Sequence, residues 1–246
     1  MGALILGAVY LFTAGLYALI TRLAVGDRGR AFNAISPGML SPLAIIFALL
    51  VGFLAAQEFE RATAAVNREA SALRAVVLLS REFPGEPEAR LHRLVRGYIE
   101  HAVTEEWPAM ARQDASLSTA PAGLAEALRV VLSLTPLREG QSIAQREMME
   151  SLGSALDARR QRIILSRSSI DWVKWTVLLV QAGLTLVAVA MVHSDNRVAN
   201  RTILGVFATG VGVAVLLIAS HSRPFTGEIS VGPGVLLQVM PEADPD

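Results

Sequence analysis

The chain has 246 residues, no cysteine, and 22 acidic against 22 basic side chains. A disulfide framework and a thiolate metal site are therefore excluded, and a net charge of zero gives no electrostatic footprint for nucleic acid. Hydrophobic residues make up 52% of the chain and charged ones 18%, against about 25% charged in an ordinary soluble domain. The missing charge is concentrated in four apolar blocks.

The first block, Leu4 to Ile20, is long enough to cross the hydrocarbon core, which takes roughly 20 mostly apolar residues. It lacks a basic leading segment and a small-residue cleavage site, so it reads as a retained helix and not a secretion signal. The second block, Leu43 to Ala56, is opened by Pro42 and extended by Gln57 to Phe59. From Pro42 to Glu82 the only helix breaker is Gly52, so the spacing predicts one rod of about 60 Å at ~1.5 Å per residue. Beyond the apolar block this rod carries a stripe at Phe59, Ala62, Val66, Leu73 and Val76, near heptad spacing. Glu69 falls on the stripe. It reads either as a stripe-edge carboxylate bent to water or paired with an arginine, or as a buried carboxylate that fixes helix register, which is costly if unpaired.

"FPGEPEA" breaks the rod, and Glu86 and Glu88 suit the next helix N-terminus. That helix is expected from about Glu88 to Arg112, with apolar positions at Leu91, Leu94, Val95, Tyr98, Ile99, Ala102 and Val103. Pro108 is expected to kink it or open a new turn. Trp107 reads as an anchor packed on a neighbouring helix or as an inter-subunit contact. After the loop "DASLSTAPAG" come a short helix, Leu124 to Leu134, and a longer one, Ser142 to Ser168. The longer one has Met148, Leu152, Ala155 and Leu156 on its apolar face and "DARRQR" on its polar face. It is expected to feed straight into the third block, Val173 to Val192, where Lys174 can snorkel and Gln181 is expected to face another helix. The fourth block is Ile203 to Ser220.

These elements define an all-α membrane protein with two hairpins, 1–59 and 172–222. A helical insert, 60–171, lies between them, and 223–246 forms a terminal turn with a short acidic tail expected to be disordered. Both termini and the insert share one side. Arg22, Arg28, Arg30, Arg197 and Arg201 lie on the opposite side. They are outnumbered by Arg61, Arg68, Arg74, Arg159, Arg160, Arg162, Arg167 and Arg223 on the insert side. That bias places the insert and termini in the cytoplasm, in a plasma (inner) membrane.

Little points to catalysis. His101 and Glu105 share a helix face at metal-ligand spacing, but no second His-rich segment accompanies them. There is no phosphate loop or nucleophile elbow. The expectation is no enzyme, no cofactor and no metal.

Two segments carry a resemblance: "YIEHAVTEEWPAM", Tyr98 to Met110, and "RPFTGEISVGPGVL", Arg223 to Leu236. With Glu69–Ala70 in the long helix, they resemble the bestrophin-like family of bacterial and plant membrane proteins. The matching positions are Glu69, Tyr98, Glu106, Trp107 and Pro108, and then Arg223, Pro224, Phe225 and Gly227. Two positions depart from the family pattern: Ile170–Asp171–Trp172 where a proline is usual, and Gly232 where a serine is usual. The resemblance extends more distantly to bestrophins, and so implies a pentameric anion channel whose second helix lines the pore and narrows at apolar rings. The acidic run that binds calcium in bestrophins is not matched, since only Glu228 follows the turn.

On that reading Phe47, Leu50 and Phe53 are candidate constrictions, since hydrophobic rings can gate by dewetting. Gln57, Arg61 and Arg68 form a stripe that would concentrate anions. The implied partners are the lipid bilayer, further copies of the chain and small inorganic anions. The competing reading is a non-conducting membrane scaffold or sensor whose insert binds a partner protein. In the turn, Pro224 stops the helix, Gly227 permits the reversal, Phe225 folds onto apolar surface and Arg223 pairs with a carboxylate or a lipid phosphate.

Overall fold

The computed structural model describes residues 2–24, 32, 38, 40–117, 121–167, 172–194, 196–227 and 229–242. Expectations attached to Arg28, Arg30, Ile170, Asp171, Glu228 and the last four residues lie outside them. The described residues are helical and contain no strand. The chain divides into two compact units, 1–57 with 170–222, and 58–169 with 223–246.

The first unit contains α1 (Gly2–Leu23), the start of α2 (Leu40–Leu79), α7 (Trp172–Val192) and α8 (Arg197–His221). All four helices are long and apolar enough to cross a membrane. Two apolar clusters hold them. One joins Leu54 and Ala55 to Leu178, Ala182, Val211, Val215 and Ile218. The other joins Ile20 to Leu186, Val189, Ala190 and Leu204. Several polar groups inside these helices find partners, as is required where water is absent, although the buried Asn200 Oδ1 has none among the described residues. Gln181 donates from Nε2 to the Leu43 carbonyl at 3.2 Å, and Lys174 Nζ reaches Gln57 Oε1 at 3.3 Å. Asn196 caps α8 by accepting from the amides of Val198 and Ala199. Leu4, Leu11, Phe12, Leu49, Phe53 and Trp172 are among many large apolar side chains left exposed. An inside-out surface of this kind belongs in hydrocarbon.

The second unit is built around the remainder of α2. Phe59 packs against its core, and Ala62, Val66, Leu73 and Val76 are buried in it, so the predicted stripe faces inward. A 3-10 turn, Ser80–Glu82, ends the rod. Gly85 then adopts φ +92°, a conformation that favours glycine, and Pro87 lies in the first turn of α3 (Glu86–His101). Leu91, Val95, Tyr98 and Ile99 form the buried face of α3.

The expected helix to Arg112 does not run through as one piece. A π-helical turn, Ala102–Glu106, intervenes before the short α4 (Trp107–Ala111). Its closing bond runs from the Trp107 amide to the Ala102 carbonyl, five residues back. The wider turn accommodates Pro108, which has no amide hydrogen for an ordinary helical bond. Then come α5 (Ala122–Ser133) and α6 (Glu139–Arg167). Whether α6 continues into α7 falls outside the described residues.

After α8 the chain turns at Pro224 to Gly227, and Gly227 has φ +92°. It ends in the single-turn α9 (Gly234–Gln238), whose Leu236 is fully buried. The tail differs from expectation at its start. Pro241 is buried and its carbonyl accepts from Arg96 Nη2, so the first residues beyond α9 dock on α3.

Candidate functional site

α2 and α6 each carry an apolar stripe, and each stripe is interrupted by charge. On α6 the intervals from Met148 through Leu152 and Ala155 lead to Arg159, Arg162 and Ser166, all of them buried. The expectation that "DARRQR" forms the polar face opposite the apolar one is therefore wrong for two of its arginines, Arg159 and Arg162, which continue the buried face. Both stay inside because the facing helices supply carboxylates at matching depth.

Arg162 is the hub. It is wholly buried, as is Glu69. Its Nε donates to Glu69 Oε2 at 2.7 Å and its Nη2 to Glu69 Oε1 at 3.0 Å, a two-pronged pairing. The same Nη2 donates to Glu106 Oε2 at 2.8 Å, and Nη1 reaches Met110 Sδ at 3.4 Å. Arg159 donates from Nε to the other Glu106 oxygen at 2.8 Å. The Tyr98 hydroxyl donates to Glu69 Oε1. Two carboxylates and two guanidiniums thus balance in charge, and most of their hydrogen-bonding capacity is used. That is the condition under which buried ions are tolerated.

The local electrostatics follow. Burial pushes against the charged form of Arg162, but the Glu69 carboxylate outweighs it and the guanidinium is held even more firmly protonated than usual. Burial works against ionised Glu106 in the same way. Arg162 and then Arg159 overcome it and hold the carboxyl below its ordinary range. Burial, reinforced by Glu69, raises Tyr98 well above the usual phenol range, so its proton stays on as a donor.

Trp107 stacks its ring 4.3 Å from the Arg162 guanidinium carbon, within cation–π range. It meets Phe225 edge-on with centroids 6.1 Å apart, and its Nε1 donates to the Val231 carbonyl at 3.0 Å. The Val231 amide in turn donates to the Pro224 carbonyl at 2.7 Å. The terminal turn is thereby laid onto the insert core, and Trp107 is an anchor within the chain. Arg223 is exposed. His101 and Glu105 form an exposed pair at 3.4 Å, and no cluster of three potential metal ligands occurs among the described residues.

Glu69, Tyr98, Glu106, Trp107 and Phe225 are brought together around one cluster, while Pro108 and Gly227, their neighbours in the chain, are exposed. A family model for the bestrophin-like domain matches residues 7–236. The chain belongs to the bestrophin-like family. Its fold is similar to that of a bacterial bestrophin homologue from Klebsiella pneumoniae. A crystal structure of a variant of that protein gives a TM-score of 0.60 at 14% identity, covering 94% of this chain and 96% of that one. A second crystal structure of the homologue gives 0.57 at 15% identity, with the same coverages. A variant described only as a membrane protein gives 0.55 at 15% identity, covering 94% and 95%. No curated protein matches the sequence.

In this bestrophin-like chain the residues expected to face a pore are spread along α2. Phe47 packs against the first unit's core and Leu50 is half-buried, whereas Phe53 is 60% exposed. Gln57 is engaged by Lys174. Arg61 and Arg68 are exposed. Arg61 lies 3.6 Å from Glu58, and Arg68 donates to Gln161 Oε1 at 3.0 Å. Sequence reasoning missed Arg159 and Arg162 as partners of the motif carboxylates. Continuing the heptad spacing of α6 two steps beyond Ala155 places both arginines on its buried face, though not opposite any particular carboxylate.

Proposed function

We propose that this chain is one subunit of an oligomeric, anion-conducting bestrophin-type channel whose α2 lines the ion path. The observation that carries the reading is the exposed apolar face of α2. Ile46, Leu49 and Phe53 recur at helical spacing on a 40-residue helix and remain uncovered within the subunit. Repeated around a ring, such a face makes a dewetting constriction. Phe53 is its narrowest candidate, with Phe47 and Leu50 behind it as the supporting wall. Further along the same helix, Arg61 and Arg68 give a positive potential that favours anions. The insert and both termini lie in the cytoplasm, following the arginine bias.

Reconstitution into liposomes loaded with a chloride-sensitive dye tests this. The wild type is expected to pass chloride faster than empty vesicles, and Phe53→Ala faster still. Flux indistinguishable from empty vesicles across lipid compositions would remove the reading. The scaffold reading has one observation in its favour: Leu132, Leu137 and Ile143 stand exposed on the insert. A monomeric mass in detergent would favour it.

A further inference from the structure

The second unit has a groove of about 350 Å³ lined by Arg61, Ala64 and Arg68 of α2 and by Gln161, Ile164 and Leu165 of α6. We propose that this groove binds the phosphate headgroup of an anionic phospholipid. The spacing sets the shape. Arg61, Ala64 and Arg68 follow at i, i+3 and i+7, so they share a helix face, and the small Ala64 leaves a notch between two long cationic side chains. The opposite wall supplies the Gln161 amide and the apolar surface of Ile164, itself 48% exposed. Guanidiniums beside uncovered aliphatic surface match a phosphate with a glycerol and acyl start attached, and match a fully hydrated free ion poorly.

Charge agrees with this. Among the described residues, no carboxylate lines the groove. Glu58 approaches Arg61 only from the preceding turn, at 3.6 Å, and Arg68 spends one N–H on Gln161. The exposed residues of α6 nearest the lining in sequence are Arg160 and Arg167 against one acid, Asp157. Binding does not depend on conduction. If α2 also lines an ion path, occupancy lowers the positive potential there.

The test uses the purified full chain in a neutral detergent, titrated with dioctanoyl phosphatidylglycerol and followed by thermal unfolding. Phosphatidylglycerol is expected to raise the midpoint of the wild type, as any ligand of the native state does. Phosphatidylcholine and inorganic phosphate at equal concentration are expected to leave it unchanged. Arg61→Gln with Arg68→Gln should keep the lipid-free midpoint and weaken binding by about tenfold or more. Ala64→Leu, which fills the notch without removing charge, should weaken it too. An undiminished shift in both variants, or an equal shift with phosphatidylcholine, overturns the proposal. A full shift with inorganic phosphate alone replaces the lipid by a free anion.

Discussion

Glu69 sits among alanine, valine and leucine on the buried face of α2, and what makes this tolerable is Arg162. The consequence is asymmetric. Arg162→Met strands two carboxylates and is expected to cost about 3–5 kcal/mol, read as a large fall in unfolding midpoint or loss of expression. Glu69→Gln combined with Arg162→Met should recover part of that loss, because the buried charge left behind is smaller. Glu106 sets the acid limit. Its carboxyl is held below the ordinary range in the native state, so it contributes stability above the unfolded-state value of about 4.5. That contribution is lost as pH falls through the lower folded value. Denaturant titration from pH 6 to pH 3 should show the decline, and Glu106→Gln should flatten it while lowering stability near neutrality. The signal for Glu69 was partly legible in the sequence, because a carboxylate on an apolar stripe demands a partner. The partner's identity was not, because which helix faces α2 at that depth is a tertiary fact.

Among the elements, the terminal turn depends on a few specified residues. Phe225 is buried against Trp107, and Phe225→Ala is expected to cost about 3–5 kcal/mol. Gly227→Ala forces a side chain into φ +92°, and about 1–2 kcal/mol is expected from thermal or chemical unfolding. The apolar periodicities of α1, α2, α3, α7 and α8 could be read directly, since each is long and regular. The ends were less legible: α6 starts at Glu139, earlier than spacing alone suggests, and the segment after His101 concealed its π turn. A Trp-Pro pair in a helix signals a disturbance, but not its kind. The docking of Pro241 was invisible because it depends on Arg96, distant in sequence.

For the molecule as a whole, two independent measurements bear on the reading. The chain has no cysteine, so single cysteines can report sidedness without background. Glu139→Cys, in the insert, should react with an impermeant maleimide only after the cytoplasmic face is opened. Labelling of intact cells would reverse the orientation. Mass in detergent should correspond to several copies of the subunit. The membrane architecture was legible because apolar blocks of spanning length have few alternatives in water or lipid.

The π turn leaves a further mark on everything after it. An α-helix advances 100° with each residue, and a turn that closes over five residues absorbs one extra. Trp107 and Pro108 therefore point one residue out of phase with the helix that precedes them. Rewinding the intact segment as an ordinary α-helix would turn the indole by about 100°, away from the guanidinium it now covers. The change would leave every motif residue present in the chain and their meeting point dissolved.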